Sequence, residues 1–297
     1  MNRMMRKGWL LGALAALCVA GALCRVSTAR AATHTLLHKA RLHPDDLEIG
    51  GDLAGVPKGE TRFVTYNDLL ALPQETYTAS TEPNFAGAVA ITGIALEKLP
   101  ALLGAASSAE MVIAVCDDSY NAHYPAEYFS AHHPVLVLKV NGLPPARWPK
   151  SADGSAMGPY MISHPAFTPA FHVFAHADEP QVPWGVVRLD FRNELEVYAP
   201  IVPRSRVHEE IVHDGYTIAQ QNCFRCHASE GEGGTKSPVS WGEIASKAVS
   251  EPGYFDEYVR TPQKIDPQTQ MAASPQYDAA TLQALRAYFR TFKETMP

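Results

Sequence analysis

The chain of 297 residues carries 25 Lys and Arg, 31 Asp and Glu, and a formal net charge of −6. Its hydrophobic fraction of 46% is enough to build a buried core, and its length fits two domains. The acidic balance and the absence of a Lys/Arg stripe argue against a nucleic-acid-binding protein, because binding phosphates requires clustered positive charge.

The first 31 residues have the pattern of an export signal. Three positive residues precede an uncharged apolar run from Trp9 to Leu23. That run is shorter than the roughly 20 residues that cross a bilayer. The sequence TARAA then offers Ala29 and Ala31 as the small residues of a cleavage site. We therefore predict a signal peptide over residues 1–31, cleavage after Ala31, a periplasmic location and no stable membrane span in the mature protein.

Residues 35–200 are predicted to form a strand-rich region with few helices. Segments of β-branched and apolar residues lie between Pro and Gly breakers, namely TRFVTY, MVIAVC, PVLVLKVNG, PYMISH, FHVFAH and WGVVRLDF. Short helices are predicted at NDLLALP, with Asn67 as a cap, and at ALEKLPALLG. Residues 201–207, beside Pro200 and including Pro203, are predicted to be a short, fairly stiff linker.

The order of these segments resembles the molybdopterin-binding domain of the sulfite oxidase family. The matching phrases are VTYNDLLALP, ITGIALEKLPALLG, MVIAVCDDSYNAHYPAEY, PVLVLKVNGLPP, GPYMIS and QVPWGVVRLDF. The resemblance implies a mixed α/β fold and places the family's molybdenum-binding cysteine in the loop TASTEPNFAGAVAI. Ser80 and Thr81 stand there instead, and a hydroxyl is a much poorer molybdenum ligand than a thiolate. We therefore expect this fold without the molybdopterin cofactor.

One cysteine and several histidines are the other candidate ligands in this region. Cys116 precedes two aspartates, which raise rather than lower the pKa of a thiol, so we interpret it as a small buried residue. His172 and His176 are predicted to share one face of a strand. A copper or zinc site that replaces the lost cofactor is the alternative, built from these two residues together with His123, His132, His133 and His164.

The C-terminal part contains a C-x-x-C-H motif, formed by Cys223, Cys226 and His227. A structural zinc site needs four ligands, and no second Cys or His pair stands nearby. A thioredoxin-like dithiol follows a strand, whereas HDGYTIAQQN predicts a helix. The spacing therefore favours one haem c, attached through two thioether bonds with the imidazole on iron. Met271, in a proline-punctuated loop before an amphipathic helix, is the predicted sixth ligand.

Residues 208–297 resemble a class I c-type cytochrome domain, which implies an all-α fold. Gly215 stands where the family's first helix has a glycine that lets the last helix cross closely, and Leu285 and Tyr288 stand on the facing side of that last helix. Pro238 stands where the family has a proline whose carbonyl accepts a hydrogen bond from the axial histidine. The resemblance implies a six-coordinate His/Met haem that transfers electrons.

Three functions are open at this stage. The missing molybdenum ligand favours an electron carrier between a periplasmic dehydrogenase and a terminal acceptor, such as an oxidase or another cytochrome, with residues 35–200 as a docking or binding module. The alternatives are a self-contained oxidoreductase, whose N-terminal metal or molybdopterin site reduces the haem, and a ligand sensor that reports through the haem.

Charge indicates what kind of partner docks. Residues 32–203 contain 10 basic and 19 acidic residues, and residues 204–297 contain 10 and 12. The acidic surplus therefore lies in the N-terminal region. A redox partner with a basic face would be steered toward that region, because opposite charges raise the rate of encounter.

Overall fold

The computed structural model describes residues 36–80, 82–151, 154–204 and 209–293. Within these residues the chain is mixed α/β: one sheet of nine strands and a small hairpin precede a helical C-terminal part. None of the helices described is both long and apolar enough to cross a membrane. The predicted signal peptide, Thr81 and residues 205–207 of the predicted linker lie outside the described residues.

Each segment predicted as strand contains a strand, whereas the strands at 47–51, 75–79, 89–95 and 121–124 were not predicted. They are β1 (Leu47–Gly51), β2 (Arg62–Val64), β3 (Glu75–Ala79), β4 (Val89–Ala95), β5 (Met111–Cys116), β6 (Asn121–Tyr124), β7 (Val135–Val140), β8 (Tyr160–Ser163), β9 (His172–Val173), β10 (His176–Ala177) and β11 (Trp184–Arg192). The sheet runs β2-β1-β11-β8-β7-β4-β3, and β5 pairs with both β11 and β6. Only the β1–β11 pair is parallel among these pairings.

The helices of the strand-rich part are short. They are α1 (Tyr66–Leu70), α2 (Leu99–Leu102), α3 (Ala126–His132) and α4 (Glu194–Tyr198). Thr65, not the predicted Asn67, caps α1, because its side chain accepts from the Asp68 backbone N–H as an N-cap residue does. The sequence interpretation missed α3, although Tyr128, Phe129 and His132 are buried on it at helical spacing.

The helices of the C-terminal part are α5 (Glu210–Asn222), α6 (Trp241–Ser250), α7 (Pro252–Arg260), α8 (Pro262–Ile265) and α9 (Ala279–Arg290). Helices α5 and α9 cross at Gly215, where an added Cβ would lie 2.0 Å from the Ala284 carbonyl oxygen. Leu285 and Tyr288 are buried on α9, as predicted. The crossing therefore requires a residue without a side chain on α5.

Strand β5 joins the strand-rich part to the helical part. Val112 and Ala114 face the core of the sheet, whereas Met111 and Ile113 belong to the apolar cluster that is built mainly from the C-terminal helices. Alternate residues of a strand point to opposite faces, so β5 is buried on both sides. This explains why MVIAVC is a continuous apolar run rather than an alternating one.

The predicted linker is partly packed against the helices. Ile201, at its start, is fully buried in the C-terminal apolar cluster. Its backbone carbonyl accepts a 2.5 Å hydrogen bond from the Tyr288 hydroxyl on α9. The two parts of the chain are therefore held together at the junction as well as through β5.

Candidate functional site

The imidazole of His227 is oriented by a backbone carbonyl. Its Nδ1 lies 2.7 Å from the carbonyl oxygen of Val239. A carbonyl only accepts, so Nδ1 carries the proton and donates. Burial lowers the pKa of His227, which favours the neutral ring, although the bond to Val239 opposes this shift. The Nε2 lone pair of the neutral ring is therefore available for a metal ion.

The predicted role of Pro238 is wrong by one residue. Pro238 is exposed, and the carbonyl that accepts from His227 belongs to Val239, the next residue along the chain. The physical function of the segment is kept, because a backbone carbonyl still fixes the ring and its tautomer. The difference is which residue supplies that carbonyl, and this depends on how the chain turns before α6.

The two motif cysteines lie in a tight turn directly after α5. The N–H groups of Cys226 and His227 both donate to the Cys223 carbonyl, at 3.2 and 3.0 Å. Burial raises the pKa of Cys226. The pKa of Cys223 is raised to about 12, mainly by burial and to a smaller extent by the neighbouring Cys226 thiol. A redox dithiol needs a lowered thiol pKa, so these values count against that interpretation of the motif.

A glycine pair packs directly against the motif turn. A Cβ at Gly234 would lie 1.8 Å from the Arg225 carbonyl oxygen, and one at Gly233 would lie 2.6 Å from the Phe224 ring. Gly233 also has a positive φ of 88°. The chain therefore returns across the motif at a distance that only glycine permits.

Met271 lies in the irregular segment between α8 and α9. Its half-buried side chain packs on the C-terminal apolar cluster, as does Cys223. The segment is ordered by hydrogen bonds from the Gln263 amide to the Met271 carbonyl at 2.7 Å and from the Tyr258 hydroxyl to Thr269 at 3.1 Å. The structure thus brings the predicted sixth ligand and one motif cysteine to the same cluster.

The two residues between the motif cysteines are packed into the strand-rich part, which sequence reasoning missed. Phe224 is fully buried and stacks on His123, with ring centroids 5.2 Å apart and an interplanar angle of 20°. The Arg225 carbonyl accepts from the Asn121 N–H at 2.9 Å, and the Gly233 carbonyl accepts from the Asn121 side chain at 3.0 Å. The motif and β6 therefore form a continuous contact.

The described histidines of the strand-rich part are not grouped as the alternative copper or zinc site would require. His172 and His176 lie on opposite strands of the β9–β10 hairpin, with His172 exposed and His176 buried, so they do not share a strand face. Nowhere in the described ranges do three or more His, Cys, Asp or Glu side chains group as metal ligands do. His132 instead contacts Asp178, with Nε2 2.6 Å from the carboxylate.

The loop in which the resemblance predicts a molybdenum-binding cysteine contains no cysteine. Ser80 is exposed, and Thr81 lies outside the described residues. Glu82 is buried and accepts a 2.6 Å hydrogen bond from the Ser163 hydroxyl. Cys116 is buried too. The pKa of its thiol is raised mainly by burial and further by the negative charges of Asp118 and Asp117. These residues do not fit molybdenum ligation, since no thiolate is presented in the loop.

We expect three buried histidines to make the stability of the protein depend on pH. Burial lowers the pKa of His123 and of His164 to about 3, and that of His176 to about 4. In the unfolded chain these three histidines bind protons near pH 6.5. Their contribution to stability is therefore complete above that pH and is lost as the pH falls toward 3.

We expect the free energy of unfolding to fall below pH 6.5 by about 1.4 kcal/mol per pH unit for each of these histidines. Denaturant titrations between pH 6 and pH 4.5 measure the slope. His164→Gln should reduce it by about one histidine's share, because Gln does not titrate. The exposed His43→Gln is the matched control, and an unchanged slope in His164→Gln would contradict the assignment.

Comparison with known proteins places the chain in no family. No family model matches it, and no curated protein is significantly similar. Among solved structures, the sulfane dehydrogenase SoxCD from Paracoccus pantotrophus is similar at 17% sequence identity and a TM-score of 0.35. The alignment covers 52% of this chain and 40% of that chain, so it spans less than half of the matched structure.

Proposed function

We propose that this protein is a periplasmic electron-transfer cytochrome with one covalently attached haem c. The observation that carries the proposal is the orientation of His227, whose Nδ1 is committed to the Val239 carbonyl. This leaves Nε2 for iron, directly after two cysteines at the thioether spacing. The helical part is proposed to be the cytochrome domain, and the strand-rich part is proposed to be a sulfite oxidase-like docking or binding module without molybdopterin.

Each site residue has a distinct role in this proposal. Cys223 and Cys226 anchor the cofactor, and the cofactor supplies an iron that changes oxidation state by one electron. His227 and Met271 would hold that iron, and Val239 fixes the histidine ring. A haem held by both residues would leave no open position for a substrate, which favours electron transfer over catalysis on a substrate.

The proposed partners are periplasmic redox proteins: a dehydrogenase as electron donor and an oxidase or another cytochrome as acceptor. The strand-rich part carries most of the negative charge, with 19 acidic and 10 basic residues over 32–203. A donor or acceptor with a basic face is therefore attracted to it, and the attraction weakens as salt is added.

The test is chain maturation in a host that attaches haem c in the periplasm. We expect haem that stays on the chain after denaturation, one iron per chain and a c-type reduced spectrum. Cys223→Ala with Cys226→Ala should abolish the covalent haem, whereas Cys116→Ala, which removes a buried thiol outside the motif, should keep it. Absence of bound haem in the unaltered chain would overturn the proposal.

Elemental analysis of the same sample tests the oxidoreductase alternative. We expect no molybdenum, copper or zinc at stoichiometric level. The loop at Ser80 presents no thiolate, and the Glu82 carboxylate already accepts a hydrogen bond from the Ser163 hydroxyl. A second metal at one equivalent per chain would show that the strand-rich part is a catalytic domain. In that case the haem would be the internal acceptor of its electrons.

A further inference from the structure

Arg225 is a buried cation without a counter-charge in contact. Its side chain is only 8% exposed, and its Nη2 atom is buried with no hydrogen-bond partner. Within the described ranges it takes part in none of the ion pairs that Asp and Glu make with Lys, Arg and His. Burying an unpaired charge is costly, so proteins pair such groups.

The groups around Arg225 provide hydrogen bonds but no neutralising contact. The Tyr120 hydroxyl accepts a hydrogen bond from the guanidinium, and the Glu179 carboxylate favours the charged form without forming an ion pair with it. The buried carboxylate of Asp178 is already taken, because it contacts His132 and accepts from the Gln221 amide.

His123 adds a second unsatisfied group at the same place. It is 3% exposed, and neither of its ring nitrogens has a hydrogen-bond partner. The His123 ring stacks on Phe224, the neighbour of Arg225. The pKa of His123 is lowered mainly by burial and, to a smaller extent, by the positive charge of Arg225. The neutral ring therefore offers one buried N–H donor next to the cation. Buried water would satisfy such a donor but would not cancel the charge of Arg225.

We propose that Arg225 and His123 bind one small oxyanion at the junction of the strand-rich and helical parts. A guanidinium fork matches two oxygens of an oxyanion, and the imidazole N–H supplies a further donor. Arg225 belongs to the motif itself, between Cys223 and Cys226. The inference rests on the proposed function in one respect: a bound negative charge so close to the haem favours the oxidised iron and lowers the reduction potential.

Calorimetric titration of the intact, haem-loaded protein with sodium sulfate and with sodium phosphate tests the site. Sodium chloride at equal ionic strength is the reference. We expect one saturable oxyanion per chain, with affinity weakened at least about tenfold in Arg225→Gln, since hydrogen bonds to a charged group are the strong ones. Lys247→Gln, which removes an exposed cation paired with Glu251, is the matched control and should bind as the unaltered protein does.

The reduction potential is the second measurement. Adding the bound oxyanion should lower the potential of the unaltered protein and of Lys247→Gln, but not that of Arg225→Gln. If Arg225→Gln fails to mature, His123→Gln takes its place in both measurements. Absence of saturable binding of either anion would show that the cluster is no oxyanion site, and equal binding in the site variant would show that the anion binds elsewhere. A haem-loaded chain with that result overturns this inference only, whereas a chain without haem overturns the proposed function.

Discussion

Gly215→Ala is expected to destabilise the helical part by about 3 kcal/mol or more, the upper range for overpacking a close contact. The new methyl group would lie 2.0 Å from the Ala284 carbonyl oxygen, 2.6 Å from the carbonyl carbon and 2.7 Å from the Tyr288 Cβ. Two of these atoms are backbone, so no rotamer change removes the clash. Helices α5 and α9 must separate, and Tyr288 then loses its packing. Denaturant titration followed by circular dichroism measures the loss.

Gly242→Ala is the control for this substitution. Gly242 lies in the first turn of α6, and a Cβ built there has no neighbouring atom within 4 Å. Alanine is the better helix former, so Gly242→Ala should stabilise by roughly 0.5–1 kcal/mol. Equal effects of the two substitutions would show that helix propensity, rather than the crossing, decides the result at Gly215.

The contacts that could be predicted from the sequence are those that depend on local pattern. Six strand-containing segments were recognisable from β-branched runs between breakers, and the close crossing at Gly215 was implied by the resemblance to c-type cytochromes. The cap at Thr65 and the acceptor at Val239 were each missed, by two residues and by one, because hydrogen-bond register is set by loop geometry that residue types alone do not fix.

The contacts that could not be predicted join distant parts of the chain. Phe224 and Arg225 appear in the sequence as the two variable positions of a motif, and their partners on β6 lie about a hundred residues earlier. His172 and His176 were separated by a hairpin of two-residue strands, too short to leave a periodic signal. The sequence did contain one indication of these contacts, namely the cation Arg225 between the two motif cysteines. That indication can be used only once Arg225 is known to be buried.

Met271→Ala is expected to lower the reduction potential of the haem-loaded protein and to open the sixth coordination position. Thioether ligation stabilises reduced iron, so its loss shifts the potential downward by on the order of 0.1–0.3 V, within the roughly 0.8 V range that axial ligands span. Small ligands such as cyanide should then bind faster and more tightly. Potentiometry and ligand titration of the same sample measure both effects.

Met161→Leu separates ligation from general effects of removing a methionine. Met161 is fully buried in a different apolar cluster, in the strand-rich part, and leucine conserves its volume. Its potential and ligand affinity should match those of the unaltered protein. An unchanged potential and no ligand binding in Met271→Ala would assign the sixth ligand to another residue, while the role of His227 would stand, because its orientation depends on Val239 and not on the Met271 segment.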